Sequence, residues 1–340
     1  MANHPLPLPS TEPAPQEESD CLLVREALPG RLRLRGQDRA DFLHRLSTND
    51  ILGLAPGQGN FSALLNTRGR LVELLQVLVD EAEILLLTSS GNAENIRAWL
   101  DRYLFREAVD LEEARSLACL GLYGPQAPFA LSEAAGGAWD QLPLGHHRSA
   151  EIAGASLKVA RSWPLAGAGF LLLGSEDEVD AVAGALVARG ARPMGAAMLE
   201  RFRVEAAVPA LGRELSEDFN PWEASLDGAI SLTKGCYLGQ EVVARLHTYR
   251  KVQRRLVGIE LQGSEPPDSP APIFSGSEEI GVLTSSAPAP RPGKPLGLGV
   301  LKIAHCQAGE EVQIGRDEAL IPGRVRDTIP PLAATLAGSF

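Results

Sequence analysis

The sequence predicts an α+β fold in two parts. Strand-like and helix-like stretches interleave over residues 21–252 with no regular βα repeat. From Leu256 onward short apolar runs alternate with Gly, Pro and Ser instead, which reads as a small antiparallel barrel or sandwich. A chain of 340 residues is also longer than one ordinary core supports.

The elements follow in order. Residues 1–20 carry Pro5, Pro7, Pro9, Pro13 and Pro15 and then acidic residues, a composition expected to stay disordered. Asp38 suits an N-cap, and Phe42, Leu43 and Leu46 make a helical stripe that ends near Ser47-Thr48-Asn49-Asp50. Strands are predicted at residues 61–65, 71–79 and 84–88, with Asn66-Thr67-Arg68-Gly69 as the first turn. Asn92 caps a helix bearing Ile96, Leu100 and Leu104. Further strands are expected at 117–123, 156–160 and 169–174, and helices at 126–135, 176–189 and 195–206. The C-terminal strands are expected at 256–261, 279–284, 297–303, 311–314 and 320–325, with 263–272 and 287–295 as loops. Residues after Pro330 read as a frayed tail.

Composition narrows the class. A hydrophobic content of 44% is that of a soluble globular protein. No apolar run approaches the roughly 20 residues needed to span a bilayer. The start lacks a signal-peptide pattern, so cytoplasmic residence is the expectation. The net charge of −11 argues against broad nucleic-acid binding. Arg245, Arg250, Lys251, Arg254 and Arg255 nevertheless fall together, either to hold an anion or to block edge pairing. Cys21, Cys119, Cys236 and Cys306 lie far apart, without C-x-x-C or ligand spacing, so neither a disulfide framework nor a metal site is expected.

The most informative segment is Lys234-Gly235-Cys236-Tyr237-Leu238-Gly239-Gln240-Glu241, followed by Val242-Val243-Ala244-Arg245. It joins two glycines, an amine, a thiol, a phenol and a carboxamide–carboxylate pair. The chain resembles the YgfZ family here, and again at Gly36-x-Asp38 through Thr48-Asn49-Asp50. Members of that family are folate-binding relatives of the glycine-cleavage T-protein (aminomethyltransferase). The resemblance implies a T-protein-like folate-binding domain over about 21–252 and an antiparallel β-barrel over about 253–328, with tails at 1–20 and 329–340. Tetrahydrofolate or a one-carbon derivative is the implied ligand, held in a cleft between the two parts. Transient contacts with iron–sulfur proteins or assembly factors are also implied, as is an indirect link to tRNA modification by cluster enzymes. Direct nucleic-acid and membrane partners are not expected.

Several candidate site residues have a competing structural role. Lys234 and Cys236, two apart, share a face if the segment is extended, and an ammonium there favours a thiolate. Such a thiolate attacks a one-carbon unit, meets an oxidant or gives iron one ligand; alternatively Cys236 is a buried small residue. Glu205, in an Arg-x-Glu that the T-protein family associates with folate, either accepts the amidine-like edge of a pterin or forms a surface ion pair. Glu223 in Asn220-Pro221-Trp222-Glu223 reads first as a helix cap and second as a ligand contact. Tyr237 and Arg245 complete the segment, and either Arg245 or Arg250 offers a fork suited to the glutamate tail. Glu73-Leu74 stands where aminomethyltransferases carry an Asp-Asp pair. The longer Glu73 shifts the carboxylate by about one bond, and a misplacement near 1 Å can cost on the order of 10²-fold. The leading reading is therefore a tetrahydrofolate-binding accessory protein for iron–sulfur cluster assembly or repair. The alternatives are an aminomethyltransferase or demethylase using Glu73, and a non-catalytic scaffold.

Overall fold

The computed structural model describes residues 20–315, 320–327, 330 and 332. The proline-rich start up to residue 19 and most of the C-terminal tail lie outside them. Order extends at both ends beyond the expected limits. Asp20 is buried and pairs with Arg192. Leu332 is buried against the core, and its carbonyl accepts from the Gly228 amide at 2.7 Å.

Residues 21–252 build two sheets with helices outside. The first sheet runs Gly59–Leu65, Leu71–Val79, Glu83–Thr88, Gly30–Arg35, Asp110–Glu113, all antiparallel. Helices α1 (Arg39–Leu46) and α2 (Ala93–Asp101) cover its outer face. Phe42, Leu43, Ile96 and Leu100 pack there on Leu32, Leu34, Leu75 and Val77. The second sheet runs Arg192–Pro193, Leu22–Val24, Ala118–Tyr123, Gly169–Gly174, Ala155–Arg161, His147–Ile152. Helices α3 (Ala127–Ala135) and α4 (Glu176–Val187) cover it, with Leu131, Val179, Val182 and Leu186 on Leu120, Val159 and Phe170. The inner faces meet through Leu78, Leu85 and Leu87 against Cys119, Leu171 and Leu173. A fully buried leucine of this kind contributes about 1.5–3 kcal/mol.

Helix α5 (Ala196–Glu205) and the irregular stretch after it lead to α6 (Gln240–Thr248) and then to a closed barrel. The barrel order is Arg254–Leu261, Leu296–Lys302, Glu278–Ala287, Ala271–Ser275, Glu311–Ile314, Ile321–Val325, returning to the first strand. The barrel alternative is thus the observed one. A shared core joins the parts: Phe61, Leu74, Trp222, Tyr237, Val243, Leu256 and Leu298.

Several strands are absent from the sequence expectations. Gly30–Arg35 alternates Leu32 and Leu34 with Arg33 and Arg35. Its charged face is held by Glu83 and Glu112 across the ladder, a cross-strand ion-pair pattern without an apolar run. Ala271–Ser275 lies partly inside the proposed loop 263–272, because proline and serine flank it. Asp38 precedes α1 as expected, but its carboxylate accepts from the Ala108 amide at 2.7 Å and caps nothing.

Candidate functional site

Strand parity decides what the first sheet offers. In Leu71–Val79, Leu75 and Val77 face the helices, while Leu74 belongs to the shared core. Successive side chains alternate, so Glu73 shares the helix-covered face with Leu75. The Glu73 carboxylate is fully buried. It accepts from the Leu74 amide at 2.9 Å, the Ser89 amide at 3.1 Å, the Ser89 hydroxyl at 2.7 Å and Asn92 Nδ2 at 2.8 Å. Burial raises its pKa, and the four hydrogen bonds oppose the rise. Asn92 is therefore held by Glu73 and does not cap α2 with its side chain.

Leu74 lines a cavity of about 340 Å³ at the meeting of both sheets and α5. Its walls include Phe61, Trp163, Tyr123, Leu87, Leu165 and Leu199. Phe61 and Trp163 lie 4.5 Å apart between ring centroids. Polar groups border the cavity at Gln76, Thr88, Ser89, Ser162, Glu200 and Arg203. Gln76 Nε2 donates to the Arg161 carbonyl at 2.9 Å, and Ser162 donates to Gln76 Oε1 at 2.9 Å, so both are oriented. A hollow of about 440 Å³ on the barrel, beside Glu311 and Arg324, is lined by an exposed ion pair and gathers no comparable groups.

Arg203, to which the sequence reading gave no role of its own, anchors one side of the cavity. Its guanidinium binds Glu200 through two contacts of 2.7 Å, the Val208 carbonyl at 2.6 Å, Ser285 at 2.8 Å and Glu214 at 3.3 Å. Glu214 is fully buried and also accepts from Ser285 at 2.7 Å, from Thr284 and from the Ala210 amide at 3.0 Å. Burial acts against the Arg203 charge, yet Glu200 and Glu214 outweigh it and raise its pKa. The network ties α5 to the barrel strand Glu278–Ala287. In the sequence this site shows only as Arg203-Val204-Glu205, where the ligand expectation falls on the carboxylate.

Glu205 itself faces elsewhere. Both its oxygens take Arg291 Nη1, at 3.0 and 2.9 Å, and it latches a barrel loop to the end of α5. Glu223 is buried and accepts from Arg254 at 2.9 Å, Arg70 at 3.3 Å and the Asn220 amide at 3.0 Å. Asn220 Oδ1 accepts from the amides of Trp222 and Glu223, so the expected capping arrangement is present, but on turns with no helix behind them. Neither carboxylate is among the cavity-lining residues.

The Lys234–Glu241 segment packs against α1 and the Asn66–Gly69 turn. Lys234 Nζ donates to the carbonyls of His44, Ser47 (2.7 Å) and Asn49 (2.9 Å), which gather at the end of α1. It also lies 5.2 Å from the Tyr237 ring centroid. Burial pulls the ammonium down to about 8. The amine thus serves the helix end, and the expected pairing with a Cys236 thiolate is replaced by three carbonyls. Thr48 and Asn49 hold the approach to Lys234 through the Ala229 and Gly228 carbonyls, at 2.6 and 3.1 Å. Tyr237 is buried in the shared core, where desolvation pushes its phenol up to about 12. Gly239 starts α6 with φ 82°, and a Cβ there would meet the Asn66 carbonyl at 2.9 Å. Arg245 is exposed on α6.

Cys236 is the exposed thiol among the four cysteines. Burial pushes Cys21 and Cys119 up to about 12 and Cys306 to about 11. Among the described residues, none from 231 to 250 lines the cavity, so Cys236 and the cavity are separate features. No group of three or more His, Cys, Asp and Glu side chains among the described residues is placed to hold a metal ion.

Comparison with known proteins places these features in a family. The GCVT N-terminal domain model matches residues 26–234, and the glycine cleavage T-protein C-terminal barrel domain model matches 254–330. The chloroplastic "Putative transferase" of Arabidopsis thaliana is 33% identical over 290 residues, covering 85% of this chain and 67% of its own length. An aminomethyltransferase of Listeria monocytogenes is 27% identical over 302 residues, covering 88% and 83%. The glycine cleavage system aminomethyltransferase T from Bartonella henselae shares the fold, with a TM-score of 0.79 at 24% identity over 92% of this chain and 87% of that one.

Proposed function

The chain belongs to the glycine-cleavage T-protein family, and from that premise we propose that it binds a reduced folate without transferring an aminomethyl group. Its branch is the YgfZ one, and its role is accessory to iron–sulfur cluster assembly or repair. The observation that carries this reading is the pair Glu73-Leu74. The carboxylate sits on the helix side of its strand with four hydrogen bonds, and a leucine faces the cavity.

The cavity suits a pteridine. It has aromatic and aliphatic walls for a flat ring, with Gln76 and Ser162 held in place to meet a polar edge. Tetrahydrofolate supplies nitrogens that carry one-carbon units. The carboxylate within reach, Glu200, already pairs with Arg203 and Arg213, so these residues bind and orient more readily than they move a proton. Cys236, exposed on a separate surface, can offer one sulfur to a cluster whose other ligands come from a partner.

Calorimetry with tetrahydrofolate tests the first half. Saturable binding without folate-dependent turnover of aminomethyl or N-methyl donors is expected. Turnover by the intact protein would overturn the reading in favour of a transferase, and absence of binding would favour a scaffold. For the second half, Cys236→Ala is assayed through cluster-dependent enzymes in cells. Their activities should fall while folate affinity stays unchanged, and wild-type activities would discard the accessory role.

A further inference from the structure

The second sheet carries a cationic cluster that the cavity does not use. Arg148 is register partner to Val159, and Arg161 to Phe170. Alternation therefore sets Arg148, Val159 and Arg161 on one face, the face covered by α3 and α4. His146 lies across from Arg161, whose amide donates to its carbonyl at 2.8 Å. The Arg148 guanidinium carbon sits 3.7 Å from the Trp139 ring centroid, and that of Arg161 sits 4.6 Å from Phe170. The two rings meet edge to face at 6.4 Å. Both cations are thus braced on adjoining rings, which leaves their N–H edges as the groups still to be satisfied.

Those edges lack partners. Arg148 Nη2, Arg161 Nη1 and His146 Nδ1 are each buried without a hydrogen bond. Buried polar atoms are normally paired, and three together call for an explanation. Among the described residues no carboxylate forms an ion pair with this cluster, although the chain carries a net charge of −11. Asp140 acts on Arg161 through space only. The adjoining turn has positive φ at Gly136 and Gly137, and a Cβ on Gly137 would lie 3.2 Å from Arg148 Nη2. Gly137 thus packs directly against that nitrogen, and any larger side chain there would crowd it.

We propose that His146, Arg148 and Arg161 form a binding site for a phosphate group, free or as a monoester, apart from the folate cavity. Two guanidiniums on neighbouring strands, and an imidazole when its Nδ1 carries a proton, supply donors on one face of the sheet. Tetrahedral oxygens can answer several at once, whereas one carboxylate plane answers a single fork.

The full chain is titrated at constant ionic strength with inorganic phosphate and, separately, with glycerol 2-phosphate. Thermal midpoint and tryptophan fluorescence are read together. A saturable rise in midpoint is expected, with a fluorescence change that disappears in Trp139→Phe. A response to both probes, or to the ester alone, supports the site and identifies its source. Arg148→Gln with Arg161→Gln should abolish the response, while Arg324→Gln on the barrel should keep it. An equal response to malonate would overturn the choice of phosphate, and a response unchanged in the double variant, or none in the wild type, would overturn the site. Should the double variant fail to fold, Arg148→Lys decides: it keeps the charge and loses the fork, and affinity must fall about fivefold or more.

Discussion

Replacing Glu73 by Ala separates a structural carboxylate from a ligand-binding one. Four donors now converge on it. Ser89 is partly exposed and borders the cavity, so water can take over its two bonds. The Leu74 amide and Asn92 are buried and are left without an acceptor. At about 1–3 kcal/mol for each stranded donor the gross cost is roughly 2–6 kcal/mol. Relief from burying a carboxylate recovers part of it, so a net loss of about 2–4 kcal/mol is expected. Urea unfolding measures the loss, and amide exchange in α2 locates it, because Asn92 immediately precedes that helix. Folate affinity, measured by calorimetry on the same variant, should move by less than about threefold, under 1 kcal/mol. A tenfold or greater loss of affinity at unchanged stability would refute the reasoning, since it would put the carboxylate on the ligand.

Other perturbations test the remaining parts. Trp163→Leu should weaken folate binding roughly 5- to 150-fold, the range of about 1–3 kcal/mol for stacking a ring on an aromatic side chain, and unaltered calorimetry would remove the ligand from this cavity. Leu74→Asp places a carboxyl on the cavity face, so folate affinity should acquire a pH dependence that Glu73→Asp does not produce; flat profiles for both would deny that position 74 faces the ligand. Arg203→Met strands the buried Glu214 charge and should cost about 3–5 kcal/mol in urea unfolding, with Glu214→Gln in the same chain restoring much of it. Lys234 has a folded pKa of about 8 against an ordinary 10.5. The unfolded chain therefore holds a proton that the folded chain has released between those values, and stability relative to Lys234→Met should rise from pH 8 to 10.5. A difference between the two proteins that stays constant across that window would contradict this.

What could be read from the sequence was periodic. The apolar stripes of α1 and α2 and the strands near 61–65, 71–79 and 169–174 stood out because burial on one face imposes a repeat. Gly30–Arg35 was hidden because its outward residues are arginines neutralised by glutamates distant in sequence. The functional reading divided in the same way. Residue types in Lys234–Glu241 were visible, but the targets of their hydrogen bonds were not. Lys234 finds three carbonyls some 185–190 positions away, which no local spacing encodes. Arg203 is hidden for a related reason: Ser285 is brought to it by a barrel strand, and Glu214 by the irregular stretch that follows α5.

The same physics underlies the proposal that this chain binds folate without the transfer reaction. Adjacent residues of a strand point to opposite faces, so a carboxylate at 73 and one at 74 occupy different chemical environments despite being neighbours in the chain. At 74 a carboxylate would stand among Phe61, Trp163 and Leu165, on the wall of the cavity. At 73 it stands beneath Ser89 and Asn92 and fixes the start of α2. The Glu73-Leu74 arrangement thus supports the cavity wall and leaves a leucine, not a carboxylate, on its surface. Selection that preserved a folded binding pocket without turnover would leave that pattern, and a scaffold retaining the pocket only as a relic would have no reason to keep Gln76, Ser162 and the Arg203 network oriented around it.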